Sequence, residues 1–202
     1  MGVKFLDVSA IVVAGGKSRR LGQDKRFIEV GGQMLLDRAL VTLEALFPEV
    51  IVVVAEKSQD LNVRNSVLVE DLIPDRGSLG GLYTGLAYAK HPRAFAIACD
   101  MPFLNPAIIR YLVELDIRAD VVMPKLATGL QPMHAVYSTR CVAVLEEMAR
   151  TQRLRIHELA QHPTLTVHLV PQADLVRLDP DLRSFHNINT PEDLERARKL
   201  LP

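Results

Sequence analysis

The chain has 202 residues, 49% of them apolar, and its 24 basic and 24 acidic side chains cancel to zero formal charge. That length is enough for one ordinary domain with a large core, here read as residues 1–202. The balanced charge excludes a general nucleic-acid or anionic-membrane binder, which would carry a basic excess. Cys99 and Cys141 lack CxxC spacing, which argues against a disulfide framework or a structural zinc site. No window reaches 18 uninterrupted apolar residues, so the reading is of a cytoplasmic protein that neither crosses nor anchors to a membrane.

Apolar runs of strand length alternate with segments of helical period. AIVVA (10–14) ends at Gly15-Gly16 and has the pattern of a buried parallel strand. Residues 34–46 place Leu35, Leu36, Ala39, Leu40, Leu43 and Leu46 on one side of a helix. VIVVVA (50–55) and SVLVE (66–70) read as strands, Leu79–Ala89 as a helix of small residues, and AFAIAC (94–99) as another strand. Asn105-Pro106 carries a cap residue followed by proline, the signature of a helix start. ADVVMP (119–124) and HAVYS (134–138) predict strands, residues 140–150 and 155–161 helices, and 165–170 a further strand. The last helix opens at Thr190-Pro191-Glu192-Asp193, with two acids in the positive first turn. This alternation predicts a three-layer αβα domain around a mostly parallel, Rossmann-like sheet.

Ligands of such sheets bind beyond the carboxyl ends of the strands. The loop after the first strand reads AGGKSRRLGQDK (14–25), with Lys17, Arg19, Arg20 and Lys25 inside nine residues. Glycines let backbone amides approach an anion, and clustered cations suit a triphosphate. The plainer alternative is a solvated basic turn. A P-loop is excluded because the glycine required five residues before Gly16-Lys17-Ser18 is Ile11, and adjacent Gly15-Gly16 break the dinucleotide fingerprint. Asp100 ends the AFAIAC strand, and a lone carboxylate there suits Mg²⁺, which takes few protein oxygens. Asp71 is the second carboxylate of that edge. It would either accept from a base or ribose, or cap Leu72–Pro74.

VAGGKSRRLGQDK (13–25), RGSLGGL (76–82), CDMP (99–102), QPMHAVY (131–137) and NINTPEDL (187–194), in this order, resemble the molybdenum cofactor guanylyltransferases. The resemblance implies a fold of the nucleotide-diphospho-sugar transferase (glycosyltransferase-A) type. It implies a reaction in which Mg²⁺ and GTP are used to attach GMP to the phosphate of molybdenum-bound molybdopterin, releasing pyrophosphate. Matched by motif, Ala14, Gly15 and Gly16 wrap the nucleotide, Lys25 holds phosphate, and Arg19 and Gly22 belong to the same signature. Asp71 falls in the guanosine-binding part, and Gly77, Gly80 and Gly81 in the glycine-rich segment lining the base pocket. Asp100 carries the metal and acts in catalysis with Lys25 and Arg19. Asn187 and Asn189 face the pterin, with Gln131, Arg153 and Arg155 as further acceptor-side candidates. Ala-Gly-Gly at 14–16, where relatives that use CTP carry Ala-Ala-Gly, points to GTP. Transient contacts with other molybdenum cofactor biosynthesis proteins follow from the same resemblance. Two positions depart from the pattern: Val54, where relatives carry a polar residue, and Ser78, where proline is common.

Other residues carry weaker signals. His157-Glu158 opens like a metalloprotease helix, but Gln161 stands where the second histidine is needed. His134 reads more readily as a hydrogen-bonded core histidine than as a catalytic one. Arg153 and Arg155 also read as solvated surface cations. The rival functions are a same-fold transferase with CTP or another phosphorylated acceptor, and a non-catalytic nucleotide- or cofactor-binding protein.

Overall fold

The computed structural model describes residues 4–14, 27–56 and 61–200. They form an eight-stranded sheet from β1 (Val8–Val13), β4 (Glu49–Val54), β5 (Val67–Glu70), β6 (Arg93–Ala98), β7 (Val121–Leu126), β8 (Gly129–Leu130), β9 (His134–Ser138) and β10 (Val167–Pro171). The order across the sheet is β10-β7-β9-β6-β1-β4-β5, with β8 paired to β7. β1 is parallel to β4 and β6, β4 to β5, and β7 to β10, while β9 runs antiparallel between β6 and β7. Six strands therefore point one way and only β8 and β9 oppose them, so the sheet is mixed but mostly co-directional.

Alternation along the strands builds the two cores. Ala10, Val12 and Ala14 of the first strand segment, with Val50, Val52 and Val54, face α1 (Leu35–Leu46) and α3 (Pro106–Leu115). Ile11, Val13, Ile51 and Val53 face α2 (Gly77–Tyr88) and α4 (Cys141–Arg150). Val54, the apolar departure from the family pattern, is fully buried in the first of these cores. α2 lies unusually close to β1. A Cβ on Gly81 would sit 2.5 Å from a Val13 methyl, and one on Gly85 2.4 Å from an Ile11 methyl. The small-residue pattern of this helix is thus a requirement of packing, because the Val13 and Ile11 side chains of β1 fill the space a side chain at these two positions would need.

The predicted helix starts are seen as hydrogen bonds. Asn105 Oδ1 accepts from the Ala107 amide at 2.8 Å, with Pro106 in the first turn. At α6 (Pro191–Leu200) the Thr190 hydroxyl accepts from Asp193 N at 3.2 Å, and the Asp193 carboxylate accepts from Thr190 N and Asn189 N at 3.0 and 3.1 Å. This is a reciprocal capping box. Burial pushes the Asp193 pKa up, but these amide and hydroxyl bonds outweigh it and hold the carboxyl below its usual range.

Three features depart from the sequence reading. A hairpin, β2 (Glu29–Val30) and β3 (Gln33–Met34), precedes α1 and turns through Gly31 and Gly32 at φ +60° and +71°. That double left-handed turn is one only glycine makes without strain. Residues 156–161 form a 3₁₀ segment rather than an α-helix, and only Ile156 and Leu159 are buried on it. A one-turn helix, α5 (Gln172–Leu175), follows β10 directly. Cys99 and Cys141 are both buried and carry no disulfide, and burial pushes the Cys141 thiol up to about 12. Among the described residues no helix is long and apolar enough to cross a membrane.

Candidate functional site

The strand register brings the predicted nucleotide residues to one edge. Ala14 N donates to Val53 O at 2.8 Å, Cys99 N to Val13 O at 3.1 Å, and Asp71 N to Val54 O at 2.8 Å. The ladder therefore continues one residue past the strands, and the loops beginning at Ala14, Asp71 and Asp100 leave the sheet side by side. From β6 to β5 is three strand spacings, about 14 Å. Asp71 and Asp100 thus stand at the two ends of this row with Ala14 between them. Gly15, Gly16, Arg19, Gly22 and Lys25, the remaining predicted loop residues, lie outside the described residues.

Asp100 is 7% exposed, on the turn that ends β6. Its carbonyl accepts from the Ile188 amide at 2.9 Å. That bond lays Asn187-Ile188-Asn189 alongside the Asp100 turn, and the α6 capping box fixes the other end of the same segment. Asn187 is half-buried and lines a pocket of about 180 Å³ with Pro102, Phe103, His186 and Arg196, whereas Asn189 is exposed. The acceptor-side asparagines and the predicted metal carboxylate therefore belong to one locally bonded unit.

Asp71 is held by α2. Its Oδ1 accepts from the Ile73 amide at 3.1 Å and from the Thr84 hydroxyl at 2.8 Å, and Thr84 Oγ1 accepts from Leu72 N at 3.0 Å. The capping alternative for Asp71 is seen directly, at the Ile73 amide, and the same carboxylate stands at the carboxyl end of β5. A Cβ on Gly80 would lie 2.8 Å from Asp71 Oδ2 and 2.9 Å from Ile73 O, so glycine there lets the helix pass the carboxylate. Gly77 adopts φ +57° at the entry to α2. Gly80 and Gly81 are buried, with Gly81 against Val13 as described above.

The remaining acceptor-side candidates are more dispersed. Gln131 Nε2 donates to Gly129 O at 3.3 Å, and its segment is pinned by Tyr137 Oη donating to Pro132 O at 2.6 Å. Burial raises the Tyr137 pKa well above its ordinary range, so it keeps the proton this bond needs. Arg153 pairs with Glu147 at 3.0 Å and is 44% exposed, and Arg155 is exposed before the 3₁₀ segment. α4 starts beside Asp120 O, at the opposite edge of the sheet, so its ten residues carry Arg153 and Arg155 toward the edge that holds Asp100.

His134 corrects its sequence reading. Its ring is fully buried between Phe95 (5.2 Å, edge-to-face) and Phe185 (4.7 Å), and among the described residues neither ring nitrogen has a hydrogen-bond partner. Burial pushes its pKa down to about 3, with Asp179 opposing weakly. It is therefore a neutral wedge in the α1–α3 core, not a hydrogen-bonded histidine and not a group at the site. Thr84 carries no periodic or motif signal in the sequence, and only the fold shows that it touches Asp71.

Among the described residues no three His, Cys, Asp or Glu side chains gather as a metal-binding group. A single buried carboxylate with phosphate oxygens and waters completing the shell is nonetheless the donor set Mg²⁺ accepts, and Asp100 fits that role.

Known proteins share this fold. The chain superimposes with a TM-score of 0.82 on the crystal structure of molybdopterin-guanine dinucleotide biosynthesis protein A from Archaeoglobus fulgidus, at 26% identity, covering 95% of this chain and 97% of that one. It also matches 2-C-methyl-D-erythritol 4-phosphate cytidylyltransferase from Thermus thermophilus, with a TM-score of 0.71 at 19% identity and coverage of 96% and 98%. That second likeness speaks for the fold alone. Together they define the fold, that of the nucleotide-diphospho-sugar transferases. Residues 10–164 match the model of the MobA-like NTP transferase domain, and the chain belongs to that family. It is 40% identical over 192 residues to the molybdenum cofactor guanylyltransferase of Desulfosudis oleivorans, covering 94% of each chain. It is 36% identical over 196 residues to the probable molybdenum cofactor guanylyltransferase of Pelotomaculum thermopropionicum, covering 96% of this chain and 93% of that one.

Proposed function

We propose that the chain transfers GMP from GTP to the phosphate of molybdenum-bound molybdopterin, forming the molybdopterin guanine dinucleotide cofactor and releasing pyrophosphate. The observation that carries this reading is the row of Ala14, Asp71 and Asp100 at one sheet edge, bonded through Asp100 to the Asn187–Asn189 segment. On this reading the nucleotide lies along the row and meets the acceptor at Asp100. The near full-length relatives named for this activity support it.

An oxygen of the acceptor phosphate attacks the α-phosphorus of GTP, a P–O bond forms, and the α–β bridging bond breaks with its electrons leaving on pyrophosphate. The attacking phosphate is already ionised, so no general base is required, and His134 is too deeply buried to serve as one. Two anions must approach each other, which makes charge neutralisation and positioning the main tasks of the protein. Lys25 and Arg19 are proposed to hold the phosphates, with the Ala14-Gly15-Gly16 amides and Gly22 shaping the loop around them. Asp71 is proposed to accept from the guanosine part, with Gly77, Gly80 and Gly81 forming the nearby wall. Asn187 and Asn189, with Gln131, Arg153 and Arg155 around them, are proposed to face the acceptor. Asp100 would hold Mg²⁺, which when bound polarises the phosphoryl oxygens. A cytoplasmic location and transient contact with other proteins of molybdenum cofactor synthesis complete the proposal.

The test is pyrophosphate release from GTP and CTP in parallel, with molybdenum-loaded molybdopterin and Mg²⁺. Release with GTP alone supports both the reaction and the guanine choice. Release with CTP instead overturns the guanine choice, and silence with both, in protein that binds GTP, overturns the acceptor.

A further inference from the structure

Thr84 is fully buried inside α2, and its hydroxyl is fully engaged. The one hydroxyl proton is donated to Asp71 Oδ1 at 2.8 Å, and a lone pair accepts from the Leu72 amide at 3.0 Å. The Ile73 amide is the second donor to the same oxygen, at 3.1 Å. Two donors on Oδ1 fix the plane of the carboxylate, and Gly80, one turn before Thr84, leaves the space that Oδ2 occupies. A carboxylate at a strand end ordinarily has several rotamers open to it. Here the helix that packs on the strand selects one. The cost is paid in the fold, by a threonine and a glycine at positions where a helix would accept alanine more readily.

We propose that Thr84 is a positioning residue for nucleotide affinity: it locks Asp71 with Oδ1 engaged by the protein and Oδ2 kept for a hydrogen-bond donor of the bound nucleoside. This rests on the reading that Asp71 meets the nucleotide. Removing the hydroxyl then frees the carboxylate to rotate and leaves the Leu72 amide without its acceptor, so affinity falls while the phosphate chemistry at Asp100, about 14 Å away, is untouched.

The test measures binding of a fluorescent GTP analogue and the steady-state kinetics of Thr84→Val, Thr84→Ala and Thr84→Ser, with Asp71→Ala alone and combined with Thr84→Val. Valine removes the hydroxyl at nearly constant volume, and alanine removes it without placing a new methyl, so the comparison survives if one of them packs badly. The expected result is a roughly 10-fold weaker Kd and higher KM in Thr84→Val and Thr84→Ala with kcat within about 3-fold of the parent. Thr84→Ser should restore both values to within about 2-fold, and Thr84→Val should add nothing when Asp71 is already alanine. Parent-like affinity in Thr84→Val, or an equal loss with and without the Asp71 side chain, overturns the positioning role. Parent-like affinity in Asp71→Ala overturns the reading beneath it, and the two failures are read from different proteins.

Discussion

Thr84 and His134 are both fully buried polar side chains on opposite faces of the sheet, and the structure treats them in opposite ways. On the α2 face, Thr84 spends both its donor and an acceptor on the Asp71 turn. On the α1–α3 face, His134 makes no ring hydrogen bond among the described residues and is held by the shapes of Phe95 and Phe185. The difference teaches where hydrogen bonds are used in this molecule. Close to the proposed nucleotide edge they fix a carboxylate in one orientation. In the core behind it, aromatic packing tolerates a histidine only by keeping it uncharged.

The largest expected effect lies at the edge that both faces support. Asp100→Ala, and likewise Lys25→Ala, is expected to lower kcat by roughly 10²–10³ fold, the usual loss when one transition-state contact is removed. Turnover within a few-fold of the parent would take Asp100 out of the chemistry and leave the comparison as one of packing alone.

The α2 face is broken next by filling the space its glycines leave. Gly85→Val puts a branched side chain where even a Cβ meets an Ile11 methyl at 2.4 Å. A loss of about 1–3 kcal/mol in urea unfolding is expected from overpacking. An unchanged midpoint would mean that α2 can lift off β1 without cost, and the tight cradle around Asp71 would lose its basis.

The α1–α3 face is sharpened by pH. An unfolded chain protonates His134 at its ordinary value of 6.5, whereas the folded chain refuses the proton until about 3. Stability from this group is therefore complete above pH 6.5 and falls as pH drops toward 3, by up to about 1.4 kcal/mol per pH unit. His134→Leu is expected to flatten that part of the stability profile in chemical denaturation between pH 6.5 and 4. A variant with the same acid slope as the parent would show that other groups, not the unsolvated ring, control acid unfolding.

What the sequence made legible follows the same division. Long elements with strong periodicity or caps were readable. β1, β4 and β6 are continuous apolar runs, α1 repeats leucine at helical spacing, and Asn105-Pro106 and Thr190-Pro191 mark helix starts that the hydrogen bonds reproduce. Short elements were not. The β2–β3 hairpin has two residues per strand, α5 is one turn, and 156–161 buries too few residues to favour α over 3₁₀. At the candidate site, the placement of Asp71 and Asp100 at strand ends was legible because each carboxylate follows directly on an apolar run. Thr84 was not, because its partner lies 13 residues away across a strand-to-helix turn and no local pattern links the two. The core placement of His134 was legible, but its lack of ring hydrogen bonds was not, because the pair of phenylalanines enclosing it comes from β6 and from a segment near residue 185.

The central claim, that this edge carries GMP transfer, is tested most directly by following labelled phosphorus. GTP labelled at the α- or the γ-phosphate is incubated with the protein, Mg²⁺ and molybdenum-loaded molybdopterin, and the pterin and pyrophosphate fractions are counted separately. The account predicts that α-label enters the pterin product while γ-label leaves in pyrophosphate. Label from the γ-position on the pterin, or α-label that stays in nucleotide while pyrophosphate accumulates, would contradict it.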